Sequence, residues 1–310
     1  MSRTRRPPCP VTGEPASRLV QWVSAELLAD LWRYEFRVDV RPSFRGATRF
    51  GLWESPTGLH FFDPMTAGDA AFYDRVYARM RLDRHRDKGP KAEFAMAAQS
   101  VAPGDRVLDV GCGFGAFRAS VPHADYVGLE PYGGADRPPY VLAETLDGHL
   151  ATNAGAYDLT CAFQVLEHVE RPLAMLRGMA AAVRPGGQVI VGVPHVPSAG
   201  ARIPNYLINA TPHHLTWWTE AALRAAAERA GLVDARVEQA PWSDVDAIVY
   251  WIARCSPIRC VDRRYRHAWS WHAASAVGFL AGYAMWTLRG APRAADDEGA
   301  SLLLTARKPD

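Results

Sequence analysis

The feature that most restricts the fold is an apolar run that ends in three glycines at alternate positions. It reads Val107-Leu108-Asp109-Val110-Gly111-Cys112-Gly113-Phe114-Gly115. The apolar part predicts a short buried strand. The glycines let the backbone turn at once and approach a ligand with no Cβ in the way. Such a turn belongs at the first strand–helix junction of an open α/β sheet, where nucleotide-type ligands sit beyond the carboxyl ends of the strands. The rest of the chain agrees. Strand-like segments at 106–110, 126–130, 140–143, 159–163 and 188–193 mix with helix-like ones at 91–100 and 172–183. The helix at 172–183 opens on Pro172 and is stopped by Pro185-Gly186-Gly187. A further helix at 220–230 has Thr219 as N-cap and Gly231 past its end, and strands follow at 235–240 and 301–307. The alternation predicts a parallel-type sheet with helices on both faces.

Two details narrow the ligand. The spacing is G-x-G-x-G rather than the G-x-G-x-x-G of dinucleotide sites, and Asp109 stands at the strand end. A carboxylate there is awkward beside a pyrophosphate but suits a positively charged ligand such as S-adenosylmethionine (SAM). Glu130, 21 positions on, closes the next strand, where a carboxylate can accept from both ribose hydroxyls. Composition removes other classes. Hydrophobic residues at 48% exclude a mainly disordered chain. Lys+Arg 35 against Asp+Glu 33 is too even for a nucleic-acid coat, so no nucleic acid is expected as a partner. Five cysteines are too few and too odd for a disulfide scaffold, which points to a reducing, cytoplasmic setting. The basic start lacks the apolar stretch of a signal peptide.

Four blocks in order resemble the class I SAM-dependent methyltransferases over about 90–240, together with the last strand: 106–115, 126–131, YDLTCAFQVLEHVERP at 157–172 and VRPGGQVIVGVP at 183–194. The resemblance implies an enzyme with a Rossmann-like seven-stranded sheet and SAM as cofactor. It implies that Gly111, Cys112, Gly113 and Gly115 lie against the methionine part with Asp109 nearby, and that Glu130 and Pro131 hold the ribose. Thr145 falls where the family touches adenine, and Phe163 and Gln164 near the methyl group.

A nucleophile with a proton to lose needs a base, and histidine suits neutral pH. His214 and then His213, in TPHHLTWWT, match a segment of sugar methyltransferases in which a histidine acts as base on the substrate. His168, in Leu166-Glu167-His168-Val169, is a third candidate, and His195 a weaker one. The implied acceptor is a small hydroxylated metabolite, with a sugar or glycan precursor first. The alternatives are a metal-assisted quinone or phenol O-methyltransferase using Glu167 and His168, and a non-catalytic SAM-binding scaffold. The leading reading assigns no metal ligand.

The segment 1–85 is expected to be a separate cover over the substrate pocket, with the catalytic domain at 86–310. Cys9-Pro10-Val11-Thr12-Gly13 resembles half of a zinc knuckle, but Thr12, Glu54 and Thr57 stand at the other ligand places. A helix at 69–80 carries Phe72, Tyr73, Val76, Tyr77 and Met80 on one stripe, and Tyr73 and Tyr77 are expected to line the pocket. Between about 243 and 296 lies an apolar insertion before the last strand. Its 268–288 stretch has no Asp, Glu, Lys or Arg across 21 residues. Helices packed on the core or on a partner are expected there, with association at a membrane surface, and hence a peripheral location, as the alternative. The sequence leaves the oligomeric state open.

Overall fold

A computed structural model of the chain describes residues 5–80, 91–132, 137–292 and 301–310. The proposed boundary at 85/86 and the far end of the 243–296 insertion lie outside these residues. Elements are numbered in chain order. The N-terminal part is built on a small antiparallel sheet of β1 (Arg18–Ser24), β2 (Arg49–Glu54) and β3 (His60–Asp63). Its fourth strand, β9 (Thr216–Trp217), comes from far along the chain. The N-terminal segment therefore does not close on itself, and the loop before β9 is drawn against it.

Helix α1 (Ala25–Phe36) is not among the helices that the sequence analysis singles out. The Ser24 hydroxyl accepts from the Leu27 N–H at its start, and Leu28, Leu31 and Trp32 are buried. Its apolar stripe is only two turns long and ends at Arg33-Tyr34-Glu35, which hides the period. Helix α2 (Ala70–Met80) falls where the aromatic stripe predicted it, with Phe72 and Val76 buried.

Among the described residues the main sheet has seven strands, in the order β10-β11-β8-β7-β4-β5-β6. These are β4 (Arg106–Val110), β5 (Asp125–Leu129), β6 (Val141–Leu142), β7 (Tyr157–Phe163), β8 (Val183–Pro194), β10 (Val233–Gln239) and β11 (Ser301–Arg307). From β8 through β7, β4 and β5 to β6 all neighbours are parallel, and β11 lies antiparallel between β8 and β10. The pleat sends alternate residues to two cores. Leu108, Val189 and Val191 meet α5 (Pro172–Ala182) and α6 (Glu220–Arg229) on one face. Val107, Leu159, Cys161 and Ile190 meet α3 (Ala92–Ala98) on the other. A short helix α4 (Leu146–Asn153) packs beside α5. This is the expected Rossmann-like α/β architecture, with a C-terminal helical insertion before the last strand.

The insertion contains α7 (Asp244–Cys255), which the sequence reading did not single out, and α8 (Trp269–Arg289). The uncharged stretch is thus one helix. It turns Trp271, Ala274, Gly278 and Gly282 inward and leaves Phe279 and Leu280 exposed. None of the described helices is long and apolar enough to cross a membrane.

Candidate functional site

The chain turns as soon as β4 ends. Gly111 has φ +70°, and a Cβ on it would stand 2.7 Å from the Val165 side chain, so packing beneath the loop demands glycine. Gly113 has φ +57° with open space where its Cβ would stand, so room remains above the loop. The N–H groups of Gly111 and Cys112 donate to the Leu129 carbonyl at 2.8 and 3.1 Å. The Gly113 N–H donates to Glu130 Oε2 at 3.1 Å, and the Tyr132 N–H to Oε1 at 3.2 Å. Loop and β5 end are therefore one unit, with the Glu130 carboxylate fixed against the glycines. An acceptor-only carboxylate beside open space fits a ligand that brings vicinal hydroxyls and a cationic centre, as SAM does.

Other expected contacts of the cofactor are placed differently. Asp109 is only 3% exposed and lies under the loop, where it accepts from the Tyr126 hydroxyl at 2.7 Å. Burial pushes its carboxyl up to about 7. The Cys112 thiol is raised by burial and by the Asp109 and Glu130 carboxylates. Gly115 leads into a short 3-10 turn, Ala116–Ser120, and Pro131 sits exposed in the turn after Glu130. The Thr145 hydroxyl accepts from the Gly148 N–H as the cap of α4, a task the sequence reading had not given it. The Phe163 ring packs between Phe94 and Phe117 rather than in open space. The Gln164 amide donates to Glu93 Oε2 at 3.0 Å, with its backbone in the left-handed region.

The three histidine candidates meet in one buried cluster. Leu166–His168 forms a single 3-10 turn just past β7, and Val165, whose side chain meets Gly111, leads into it. His213 and His214 lie on the loop before β9. That loop is pinned from two sides. The Trp32 indole of α1 donates to the Thr211 carbonyl at 3.1 Å. Asn209 accepts at its carbonyl from the Trp217 indole at 2.8 Å and from the Tyr265 hydroxyl at 2.7 Å. One ring nitrogen from each of His168, His213 and His214 lies within 4.8 Å of the others.

Each imidazole is held in the same tautomer. Nδ1 of His168 donates to the His213 carbonyl at 2.7 Å, Nδ1 of His213 to the Ile208 carbonyl at 2.9 Å, and Nδ1 of His214 to Asn209 Oδ1 at 3.1 Å. These oxygens only accept, so every Nδ1 carries its proton and every Nε2 keeps a lone pair. Burial lowers His168 to about 4 and His213 to about 3, the latter with help from the His168 charge. His214 is lowered by burial and then by its two neighbours. Glu167 is fully buried with neither carboxylate oxygen hydrogen-bonded, and burial raises it to about 8. Its Oε1 lies 3.8 Å from His168 Nε2 and 4.0 Å from His214 Nε2.

Tyr73 stacks edge-on to His168, and Tyr77 lies close enough for the charges of both Glu167 and Glu130 to act on its hydroxyl. Both tyrosines thus lie beside the histidine cluster. His195 makes a backbone bridge to Trp218 at the edge of this region. Sequence reasoning paired Glu167 only with His168. It missed Asn209, which carries no motif, and the meeting of Glu167 with His214. The stretch from Cys9 to Gly13 folds as a tight turn in which the Val11 and Thr12 N–H groups point at Cys9 Sγ.

A family model described as a methyltransferase domain matches residues 80–237, just over half of the chain. A ubiquinone biosynthesis O-methyltransferase from Vibrio parahaemolyticus is 39% identical over 100 residues, or 28% of this chain and 42% of that protein. Its counterpart from Escherichia coli is 36% identical over 100 residues, 28% of this chain and 41% of that one. The chain thus matches less than half the length of these curated relatives. A SAM-dependent methyltransferase from Thermotoga maritima superposes with a TM-score of 0.48 at 16% identity, covering 77% of this chain and 97% of the other.

Proposed function

Since the chain belongs to the methyltransferase-domain family, we propose that it is a SAM-dependent methyltransferase and methylates a hydroxyl oxygen of a small metabolite at the histidine cluster. One observation carries this reading. The glycine loop and the cluster lie beyond the carboxyl ends of β4 and β7, which are adjacent parallel strands, and Val165 joins them by its contact with Gly111. When bound, SAM supplies a methyl group on a sulfonium centre. Gly111, Gly113 and Glu130 hold it, and the loop leaves one side open. His168, His213 and His214, all neutral, face the acceptor and control its hydroxyl proton. His214 stands first among them because it takes the place of the base in the segment TPHHLTWWT. Tyr73 and Tyr77 shield the gap between the two halves from water.

Tyrosine rings beside the cluster suit either a sugar or a phenol as acceptor. The sequence puts a sugar first and a quinone or phenol as the alternative, and the names of the curated relatives, ubiquinone biosynthesis O-methyltransferases, support the alternative. The test is release of S-adenosylhomocysteine (SAH) with a panel that starts from nucleotide sugars and catechol-type phenols. Activity is expected with one of these classes. His214→Ala is expected to keep SAH binding while turnover falls by roughly 10²–10⁴-fold. A His214→Ala protein with full turnover would remove the cluster from the chemistry.

A further inference from the structure

The lone pairs of the cluster point to an occupant that the methyltransferase fold itself does not require. We infer that His168, His213, His214 and Glu167 bind a divalent first-row transition-metal cation.

Three observations carry this. First, ring nitrogens from all three histidines already lie within 4.8 Å of one another in buried surroundings, although they come from two separate segments. Second, every Nδ1 is engaged by an oxygen that only accepts, so the three free lone pairs are all on Nε2. An imidazole that ligates a metal through one nitrogen characteristically donates its other N–H to a carbonyl or carboxylate, as each of these does. Third, Glu167 is wholly buried and neither oxygen has a hydrogen-bond partner, while Oε1 faces Nε2 of His168 and of His214 at 3.8 and 4.0 Å.

A buried carboxylate without a donor, beside three nitrogens that offer only lone pairs, is a surplus of acceptors. Each imidazole has already spent its own donor on an outer oxygen, and the one proton that burial keeps on Glu167 can answer a single lone pair and leaves the others without a partner. A cation satisfies all four groups at once. Metal–nitrogen and metal–oxygen bonds of about 2.0–2.2 Å require the groups to close on the ion by roughly 1 Å.

The donor set selects the ion class. Three imidazoles and one carboxylate suit zinc, iron, cobalt or nickel, whereas magnesium and calcium favour oxygen shells. Its role rests on the reading of the site as the place of methyl transfer. An acceptor hydroxyl oxygen joining the cation becomes more acidic and is held in line with the glycine loop. With the three imidazoles engaged as ligands, they act on the hydroxyl proton through the cation and not as direct bases: the proton leaves to water, the oxygen forms its bond to the methyl carbon as the carbon–sulfur bond breaks, and the electron pair stays on sulfur.

The test is binding, not turnover. Protein freed of any histidine tag and stripped with EDTA is titrated calorimetrically with Zn2+, and separately with Mg2+. One Zn2+ per chain is expected, at micromolar affinity or tighter, with no Mg2+ uptake. Glu167→Gln keeps the shape and removes the charge. It and His214→Ala are each expected to weaken Zn2+ binding at least tenfold. His123→Ala, at the opposite end of the sheet, is expected to bind as the wild type does. Two results would overturn the site: no Zn2+ uptake by protein that still binds SAH, or undiminished uptake by the double variant His168→Ala/His214→Ala. Because no acceptor or turnover enters the measurement, failure of metal binding and failure of methyl transfer are read separately.

Discussion

Asp109 and Glu130 are carboxylates at the ends of neighbouring strands with different tasks. Glu130 is partly exposed and tied to the Gly113 N–H, so it faces the open side of the loop. Asp109 is buried and faces Tyr126. The folded protein holds the Asp109 proton to about pH 7, against 3.8 for the free group. Between about pH 4 and pH 7 the folded state therefore binds more protons than the unfolded one, and stability falls as pH rises through that window. The loss is on the order of 4 kcal/mol for a shift of this size. Asp109→Asn is expected to flatten the dependence and raise the melting temperature at pH 8 relative to the wild type. Melting curves at pH 5 and pH 8 check this, and an unchanged difference between the two pH values would mean that Asp109 is ionised in the fold. The glycine loop and Glu130 were legible because backbone geometry and strand spacing are local properties. The Glu167–His214 meeting was not, since 47 positions separate the two residues and only the path of the loop brings them together.

At the scale of elements, the parallel strands and the helices with clear caps were readable. Thr219 caps α6 as its place in the sequence suggested. The elements that escaped were held by distant partners. Helix α1 is short and needs the small sheet for its stability, and β9 is two residues long and exists only through β3. The 268–288 stretch was ambiguous because low charge does not reveal what covers a helix. Its answer lies in two glycines. A Cβ on Gly282 would stand 2.5 Å from the Ile252 N and 2.6 Å from its Cα, and one on Gly278 would stand 3.0 Å from the Ile252 carbonyl oxygen. The backbones of α7 and α8 are thus in close contact, and no side chain can move aside. Gly282→Ala is expected to destabilise the protein by about 1–3 kcal/mol despite the better helix propensity of alanine. Urea denaturation measures this. A stabilised variant would show that the two helices do not pack at this distance.

For the whole molecule, the N-terminal sheet and the methyltransferase core share the segment that carries His213 and His214. β9 takes the fourth place in the small sheet, α1 holds Thr211 through Trp32, and α2 sets Tyr73 and Tyr77 over the cluster. The sequence reading placed a cover there but treated it as separate, because strand exchange between distant segments leaves no local pattern. Weakening the Trp32 anchor is therefore expected to reach the site. Trp32→Phe keeps the ring and loses the indole donor, and it should lower turnover more than it lowers SAH affinity. Equal losses in both would place its effect on the fold as a whole.

The account depends most on the cofactor sitting at the Gly111–Gly113 loop with Glu130 as its anchor. Calorimetric titration with SAM and SAH, in the wild type and in Glu130→Ala, tests this most directly. The account predicts micromolar binding that the substitution weakens tenfold or more, about 1.4 kcal/mol. Absence of binding by folded wild-type protein, or equal binding by Glu130→Ala, would contradict it.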